Sequence, residues 1–388
     1  MIAAGVILFA AAVSLASGQQ SAQPLPAWTP GTFDIHQIHT GRGNAALMVF
    51  PDGTTMLLDA GQIQERPGTL ETGPAYPNAS RSAADWIARY VAQASPRRGE
   101  ALDYALVTHY HDDHIGALAG AAAKIPIRVL IDRGDDPPAP TYPVVKAYLE
   151  FRKSFGGRVE TLRAGRADQI VPVRGGTPQF EVRNIAANGT VWTGTGHEAV
   201  SRFPAGWQSL PAARQPVEND FSLALRFRYG KFSYYTGGDL AGVVLDDGPE
   251  WRDLETPIAR AVGAVDAAVL NHHGWLDTTN PFFLRTLDPR VVVIPAWHAT
   301  HPDHSVFRRL RSPAWKPGPP DLFITSLLDA PRAVFSYLGP GHFRSTSGHV
   351  LIRVTPGGGS YRVIVLGTEG EMIAVKSMHG PYTSRGAF

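Results

Sequence analysis

Three histidines and two aspartates fall within six consecutive residues, His109-Tyr-His-Asp-Asp-His114. Imidazole nitrogen and carboxylate oxygen bind zinc, manganese and iron, and two neighbouring ions need more ligands than one helix face supplies. The apolar run directly before the cluster predicts a buried strand. His109 and His111 then share one face of extended backbone, whereas Asp113 and His114 follow where the chain turns. Histidines on a polar surface loop are the alternative interpretation. The density of ligands favours a site for two metal ions.

Other segments along most of the chain show the same pattern, in which an apolar run ends in polar residues. The segments are Asp34–Ala45, Thr54–Gly61, Glu218–Arg226, Tyr235–Leu240, Val269–Gly274 and His301-Pro302. His109-x-His-x-Asp-His114 resembles the metal motif of the metallo-β-lactamase fold. The further segments resemble the hydrolase domain of ComEC-like competence proteins, and the resemblance spans about Asp34 to Val354.

The resemblance implies an α/β (α+β) class, the four-layer αββα sandwich of the metallo-β-lactamase fold, and two divalent ions, Zn²⁺ or Mn²⁺. The implied ligands are His109, His111, Asp113, His114, Asp239, His272 and Asn219, with Asp239 as the bridging carboxylate. Asp113 and His301 are expected to take part in catalysis. Residues expected to orient ligands or to contact substrate are Asp59, His273, Asn44 and Arg42.

Two of these assignments involve a choice. His272 is preferred to His273 as the ligand because it leaves the strand first. His301 would contact a substrate phosphate or protonate a leaving group, with His298 and His304 as rivals. The short loop from Gly41 to Asn44 could bring backbone N–H groups and Arg42 to a substrate oxygen, although a tight turn also explains its glycines. The remaining histidines are expected to be structural, namely His36, His39, His197, His349 and His379.

Asn219 departs from the wider fold, in which many members carry a histidine about twenty residues before the bridging aspartate. Asparagine is a neutral and weaker oxygen donor, so the first ion would be held loosely or only together with substrate. ComEC-like sequences also show asparagine there, so activity need not be lost. A harder ion such as Mn²⁺ then suits the site as well as Zn²⁺.

The N-terminus and the composition predict export. Residues 1–18 hold an apolar run that ends in small residues and is too short to span a bilayer, which predicts a signal peptide. No lysine or arginine precedes that run, so an uncleaved anchor is the alternative. The protein is then periplasmic or extracellular. No later segment approaches the length of a membrane span, and the absence of cysteine excludes disulfide partners and thiolate ligands.

The remaining chain, residues 30–388, is expected to form a single hydrolase domain, because the motifs run continuously from Asp59 to His301. Hairpins are predicted over 45–59, 221–236 and 348–366, and a helix is predicted after Ser82-Ala-Ala-Asp85. Asp113 to Lys124 is predicted to be helical. Buried strands are predicted at 129–132, 267–270 and 291–294.

The resemblance to ComEC-like proteins and the paired His272-His273 favour a metal-dependent hydrolase in which a metal-activated water attacks a phosphodiester, either a small molecule or a nucleic acid. Hydrolysis of a lactam, a lactone or a choline-phosphate ester is the second hypothesis. A binding or regulatory protein with weakened catalysis is the third, and only Asn219 supports it. The net charge of +2 is too small to indicate nucleic-acid binding by itself.

Overall fold

The computed structural model describes residues 23–63, 72–312, 318–338, 341–369 and 371–386. The predicted signal peptide therefore lies outside the described residues. Within these ranges, no helix combines the length and the apolar character that a membrane crossing requires.

The first sheet has ten strands. They are β1 (Gln23–Pro24), β2 (Phe33–Gln37), β3 (Ala45–Val49), β4 (Thr55–Ala60), β5 (Leu102–Leu106), β6 (Ile127–Asp132), β7 (Arg158–Thr161), β16 (His349–Val354), β17 (Ser360–Glu369) and β18 (Met372–Thr383). Their order is β1-β18-β17-β16-β2-β3-β4-β5-β6-β7. The strands from β1 to β4 in that order pair antiparallel, whereas β4, β5, β6 and β7 run parallel.

The second sheet has eight strands. They are β8 (Phe180–Ala187), β9 (Thr190–Trp192), β10 (Ala199–Ser201), β11 (Ala224–Tyr229), β12 (Phe232–Thr236), β13 (Ala267–Val269), β14 (Val291–Ile294) and β15 (Asp321–Ile324). Their order is β10-β9-β8-β11-β12-β13-β14-β15, and the last four strands of this order are parallel. Each sheet thus contains four parallel strands whose carboxyl ends can present loops at one edge.

Helices cover the outer face of each sheet. They are α1 (Ala83–Ala94), α2 (Asp112–Ile115), α3 (Leu118–Ala122), α4 (Pro143–Lys153), α5 (Glu255–Val262), α6 (Pro281–Leu287), α7 (His304–Arg311) and α8 (Asp329–Phe335). α1 begins at the predicted capping box, in which the Ser82 side chain accepts from the backbone N–H of Asp85.

Three apolar cores separate the layers. The central core joins side chains of both sheets, such as Phe33 and Met48 from the first and Phe227 and Val293 from the second. A second core lies between the first sheet and the helices α1, α3 and α4, and a third lies between the second sheet and the helices α5, α6 and α7. Helices therefore cover both outer faces of two packed sheets. The predicted α/β class and the four-layer αββα sandwich are confirmed.

Local predictions are confirmed except near the first metal motif and at the C-terminus. The three hairpins form, as β3–β4, β11–β12 and β16–β17. The single helix predicted from Asp113 to Lys124 is wrong, because α2 ends at Ile115 and α3 begins only at Leu118. The terminal hairpin is extended by β18, a strand missed in the sequence, along most of which exposed residues alternate with partly buried ones.

Candidate metal centre

The candidate site lies where parallel strands of both sheets end. Asp59 is the penultimate residue of β4, and His109 follows β5 by three residues. In the second sheet, Asp239 follows β12, His272 and His273 follow β13, and the loop carrying His301 follows β14. These segments converge because neighbouring parallel strands present their carboxyl ends at the same edge of a sheet.

The side chains at this edge form two groups that could each hold a metal ion. One group is Asp113, His114, Asp239 and His273, and the other is His109, His111 and Asp239. Within each group, one ligand atom from every residue lies within 4.8 Å of the others. Asp239 belongs to both groups, so the structure places it between them. This is the position that a bridging carboxylate requires.

Every residue of the group with His114 is buried. His114 Nε2 lies 3.3 Å from Asp113 Oδ2 and 3.3 Å from Asp239 Oδ1, yet it makes no hydrogen bond. His273 Nε2 lies 3.0 Å from Asp113 Oδ2. Burial opposes ionisation here, but the neighbouring histidines hold the pKa values of Asp113 and Asp239 well below their usual range. The same carboxylates, with Asp59, hold the pKa of His114 well above its usual range despite burial.

The second group is more open. His109 is fully buried, whereas His111 is partly exposed. His109 Nε2 lies 3.0 Å from His111 Nδ1 and 3.7 Å from Asp239 Oδ2. Burial lowers the pKa of His109 well below its usual range, which keeps its ring neutral and its lone pair available.

Asp59 fixes the ring of His114. Its Oδ2 accepts from His114 Nδ1 at 2.8 Å, from Thr108 Oγ1 at 2.9 Å and from Asn44 Nδ2 at 2.9 Å, and its Oδ1 accepts from the Thr108 backbone N–H at 2.7 Å. A carboxylate behind a histidine sets which ring nitrogen carries the proton. His114 therefore presents Nε2, the unpartnered atom, to the carboxylates of Asp113 and Asp239.

The loop from Gly41 to Asn44 binds the protein itself. The N–H groups of Gly41, Arg42 and Asn44 donate to His39 Nδ1, to Thr40 Oγ1 and to the Asp113 carbonyl. A side chain at Gly61 would fall on that same carbonyl, so glycine is required for this close approach. All three N–H groups thus have partners within the protein, and that of Asn44 holds the Asp113 loop in place. Contact of this loop with a substrate oxygen stays a prediction. The Arg42 guanidinium lies 3.5 Å from Thr72 Oγ1.

The structure reverses the positions expected for His272 and His273. His273, not His272, lies with Asp113 and His114, and its Nδ1 faces the carbonyl of Pro295 at 3.0 Å. His272 Nε2 lies 3.3 Å from Asn219 Nδ2, and His272 Nδ1 lies 2.9 Å from Asp277 Oδ1. Both histidines have positive φ, 46° and 54°, so the chain turns through two left-handed residues. This turn sends adjacent side chains in directions that strand alternation does not predict.

His301 packs on this centre. Its ring stacks on His273 with centroids 4.8 Å apart, and its Nδ1 is buried without a hydrogen bond. Burial lowers the pKa of His301 well below its usual range, so its imidazole is neutral at pH 7. Of its two expected roles, contact with substrate then suits His301 better than protonation of a leaving group. Of its rivals, His298 lies beside it with centroids 5.4 Å apart, whereas His304 points to Tyr337.

The histidines expected to be structural lie outside both ligand groups. His36 Nδ1 contacts the Tyr90 hydroxyl at 2.9 Å, His39 stacks on Tyr76, and His349 Nδ1 accepts from the His39 N–H. His197 and His379 are held by the Gly165 carbonyl and the Ser377 hydroxyl.

A buried ion pair that the sequence analysis missed supports the His109–His111 segment. Glu218 receives two hydrogen bonds of 2.8 Å from Arg133 and a third of 2.8 Å from the Tyr110 backbone N–H. The Arg133 side chain is fully buried and lies over the Tyr110 ring at 4.2 Å. Tyr110 sits between the two histidines, so this pair fixes the backbone that carries them. Glu218 precedes Asn219 in the motif, but no spacing rule links it to Arg133.

Glu255 supports the other half of the site. It is fully buried and accepts from Asn271 Nδ2 at 2.9 Å and from the backbone N–H groups of Thr279 and Asn280. These contacts close the loop that carries His272 and His273. Burial raises the pKa of Glu255 to about 8, although its three hydrogen bonds oppose the shift.

The pKa of Glu255 predicts a dependence of stability on pH. The folded protein keeps this proton up to a pKa of about 8, whereas the unfolded chain releases it near the usual glutamate pKa of 4.5. The free energy of unfolding of the metal-free protein should therefore fall as pH rises between these values. Urea unfolding at several pH values should show this loss in the wild type and a smaller loss in Glu255→Gln. Equal pH slopes for the two proteins would contradict the prediction.

Comparison with protein families gives a match over part of the chain. Residues 39–197 match the family model of the metallo-β-lactamase superfamily. The match includes Asp59 and the cluster from His109 to His114, whereas Asp239, His272 and His273 follow it in the chain. The two mixed sheets are consistent with the fold of this superfamily. The finer resemblance to ComEC-like proteins stays a prediction.

Three solved structures illustrate the similarity. A CmlA β-hydroxylase mutant is 12% identical with a TM-score of 0.40, over 84% of this chain and 54% of that chain. Unliganded yeast PDE1 is 11% identical with a TM-score of 0.38, over 82% and 98%. The short form of human tRNase Z is 12% identical with a TM-score of 0.33, over 67% and 91%. This chain thus spans about half the length of the first. A search of curated proteins finds no match.

Proposed function

We propose that this protein is an exported, metal-dependent hydrolase of phosphoric esters, with a phosphodiester of a small molecule or of a nucleic acid as substrate. The observation that carries the proposal is the position of Asp239, whose carboxylate belongs to two groups of histidines and aspartates, all of them buried except the partly exposed His111. Export rests on the leader predicted for residues 1–18.

The donor set fits two divalent ions. It consists of imidazole nitrogens and carboxylate oxygens, as Zn²⁺ and Mn²⁺ require, and His114 Nε2 is buried without a hydrogen bond among these carboxylates. When bound, such ions lower the pKa of a water molecule and stabilise the charge that develops on a phosphoryl oxygen. Asp59 and Asp277 hold two of the rings by their Nδ1 atoms.

Hydrogen-bond donors beside the centre favour a phosphate over a lactam carbonyl. His301 Nδ1 and Trp297 Nε1 are both buried without a partner, and both rings pack against His273. A phosphodiester presents two charged non-bridging oxygens, which can accept from several neutral N–H groups. In this arrangement His301 binds and orients the substrate.

Turnover measurements test the proposal. Metal-free protein would be loaded with Mn²⁺ or Zn²⁺ and offered a chromogenic phosphodiester, a β-lactam and a lactone, each also with His114→Ala. We expect hydrolysis of the phosphodiester that depends on metal and is lost in the variant. Faster turnover of the lactam or lactone would show that this compound, and not a phosphodiester, represents the substrate class. If metal-loaded protein hydrolyses none of these substrates, the proposal that it is an enzyme is contradicted.

Binding and hydrolysis of DNA would be tested at several salt concentrations, since the weak positive charge of the protein implies salt-sensitive affinity.

A further inference from the structure

The two oxygens of Asp239 face different histidines. Asp239 Oδ1 lies 3.3 Å from His114 Nε2 and 3.6 Å from His273 Nε2. Asp239 Oδ2 lies 3.7 Å from His109 Nε2 and 3.8 Å from His272 Nε2. Ligand atoms that share one tetrahedral zinc ion lie about 3.4 Å apart, given bonds of about 2.1 Å. Each oxygen is thus grouped with its own pair of imidazoles at nearly that spacing.

We propose that His272 supplies the third imidazole of the ion held by His109 and His111, so that the adjacent His272 and His273 serve different ions of one centre. This inference rests on the proposed metal-dependent function and deepens it. The resemblance assigns His272 to the other ion and looks to Asn219 on this side. The geometry instead gives the imidazole role to His272, while Asn219 lies against it.

The turn after β13 allows the adjacent side chains of His272 and His273 to reach different ions. His272 and His273 both adopt left-handed backbone, with φ of 46° and 54°. For residues other than glycine this conformation is unfavourable, so it persists only where the surroundings impose it. The Asn271 side chain, held by Glu255, and the His272 N–H, which donates to the Gly238 carbonyl, anchor the turn.

Asp277 prepares His272 for this role. Its Oδ1 lies 2.9 Å from His272 Nδ1, and both side chains are mostly buried, with 19% and 20% exposed. When Nδ1–H donates to this carboxylate, Nε2 keeps its lone pair, which here accepts from Asn219 Nδ2 at 3.3 Å and lies 3.8 Å from Asp239 Oδ2. The backbone of Asp277 is fixed as well, because its carbonyl accepts from the N–H groups of Gly242 and Val243. Asp277 is therefore a positioning residue for His272, as Asp59 is for His114.

Zinc titration of metal-free variants, in competition with a chromophoric chelator, tests the assignment, and elemental analysis gives the stoichiometry. We expect two ions in the wild type. His272→Ala should lose one ion, or bind it at least about 10-fold more weakly, and keep the other. His273→Ala should weaken the ion at Asp113 and His114 instead. Asn219→Ala should have a smaller effect than His272→Ala, and exposed His197→Ala should match the wild type. The ion retained by each variant reports that the protein is folded.

The role of Asp277 has its own readout. Asp277→Ala should weaken the same ion as His272→Ala, by about 10-fold or more, and Asp277→Asn should recover part of the loss because an amide oxygen still accepts from Nδ1. Combining His272→Ala with Asp277→Ala should add nothing further, since the second change acts only through the first residue.

The outcomes separate this assignment from the proposed function. Wild-type affinity for both ions in His272→Ala would overturn the assignment even if the protein hydrolyses phosphodiesters. Selective loss of one ion, in a wild type that binds two and hydrolyses no ester, would support the assignment and overturn the function. A wild type that binds fewer than two ions would overturn the assignment.

Discussion

Asp239→Ala will hold at most one ion per chain, and its metal-dependent hydrolysis of a phosphodiester will fall by about 10³-fold or more. Loss of about 4 kcal/mol of electrostatic stabilisation corresponds to such a factor. The reason is the shared position of the side chain, which is 3% exposed and belongs to both ligand groups. Removing a ligand of one ion alone would leave every ligand of the second ion in place.

The measurement is the metal content of purified protein, together with turnover after reloading. The control is Asp168→Ala, because Asp168 is an exposed carboxylate whose partner is Arg166. That variant should keep both ions and full turnover. An unchanged count of two ions in Asp239→Ala would refute the bridging position. Circular dichroism of the metal-free proteins separates lost ligands from lost structure.

Arg133→Met will lower the free energy of unfolding of the metal-free protein by about 3–5 kcal/mol, the cost of leaving a buried charge without its partner. Arg133 is fully buried and its guanidinium donates twice to Glu218, which is itself 7% exposed. The variant leaves the Glu218 carboxylate with only the Tyr110 N–H. The His109–Tyr110–His111 backbone should shift with it, so the ion held there should also bind more weakly.

Urea unfolding with and without Zn²⁺ measures both effects. The double variant Arg133→Met with Glu218→Gln should recover part of the loss, because it removes the uncompensated charge. Arg344→Met is the matched control, since Arg344 pairs with Asp321 on the surface, where such pairs contribute about 0–1 kcal/mol. A loss in Arg133→Met no larger than in the control would show that the pair does not support this segment.

The sequence predicted the strands and loops of the site better than the directions of its side chains. His109, His111, Asp113 and His114 follow a strand whose apolar pattern is plain, and their approach to Asp239 follows from the convergence of parallel strands. The fold class could be read for the same reason, because alternating and continuous apolar runs report how each strand is buried.

The positions of His272 and His273 could not be read in this way. Strand alternation assumes extended backbone, and here two consecutive residues are left-handed although neither is glycine. Asp277 and the pair of Arg133 and Glu218 were missed for another reason. Their contacts join segments distant in the chain or lie within a turn, and no fixed spacing announces them. The break after Ile115 was also missed, since the alanine-rich run that follows is compatible with continuous helix.

The shared carboxylate makes the two ion equilibria interdependent. One side chain, Asp239, and one turn, at His272 and His273, serve both ions, so the first ion to bind orders groups that the second also needs. Whatever factor the first ion applies to the affinity of the second, the second must apply to the first, because the thermodynamic cycle closes. Ordering of the turn by the first ion raises the affinity for the second ion. Repulsion between the two cations across one carboxylate lowers that affinity. The spacing of the two steps in a zinc titration therefore measures the balance between these opposing energies.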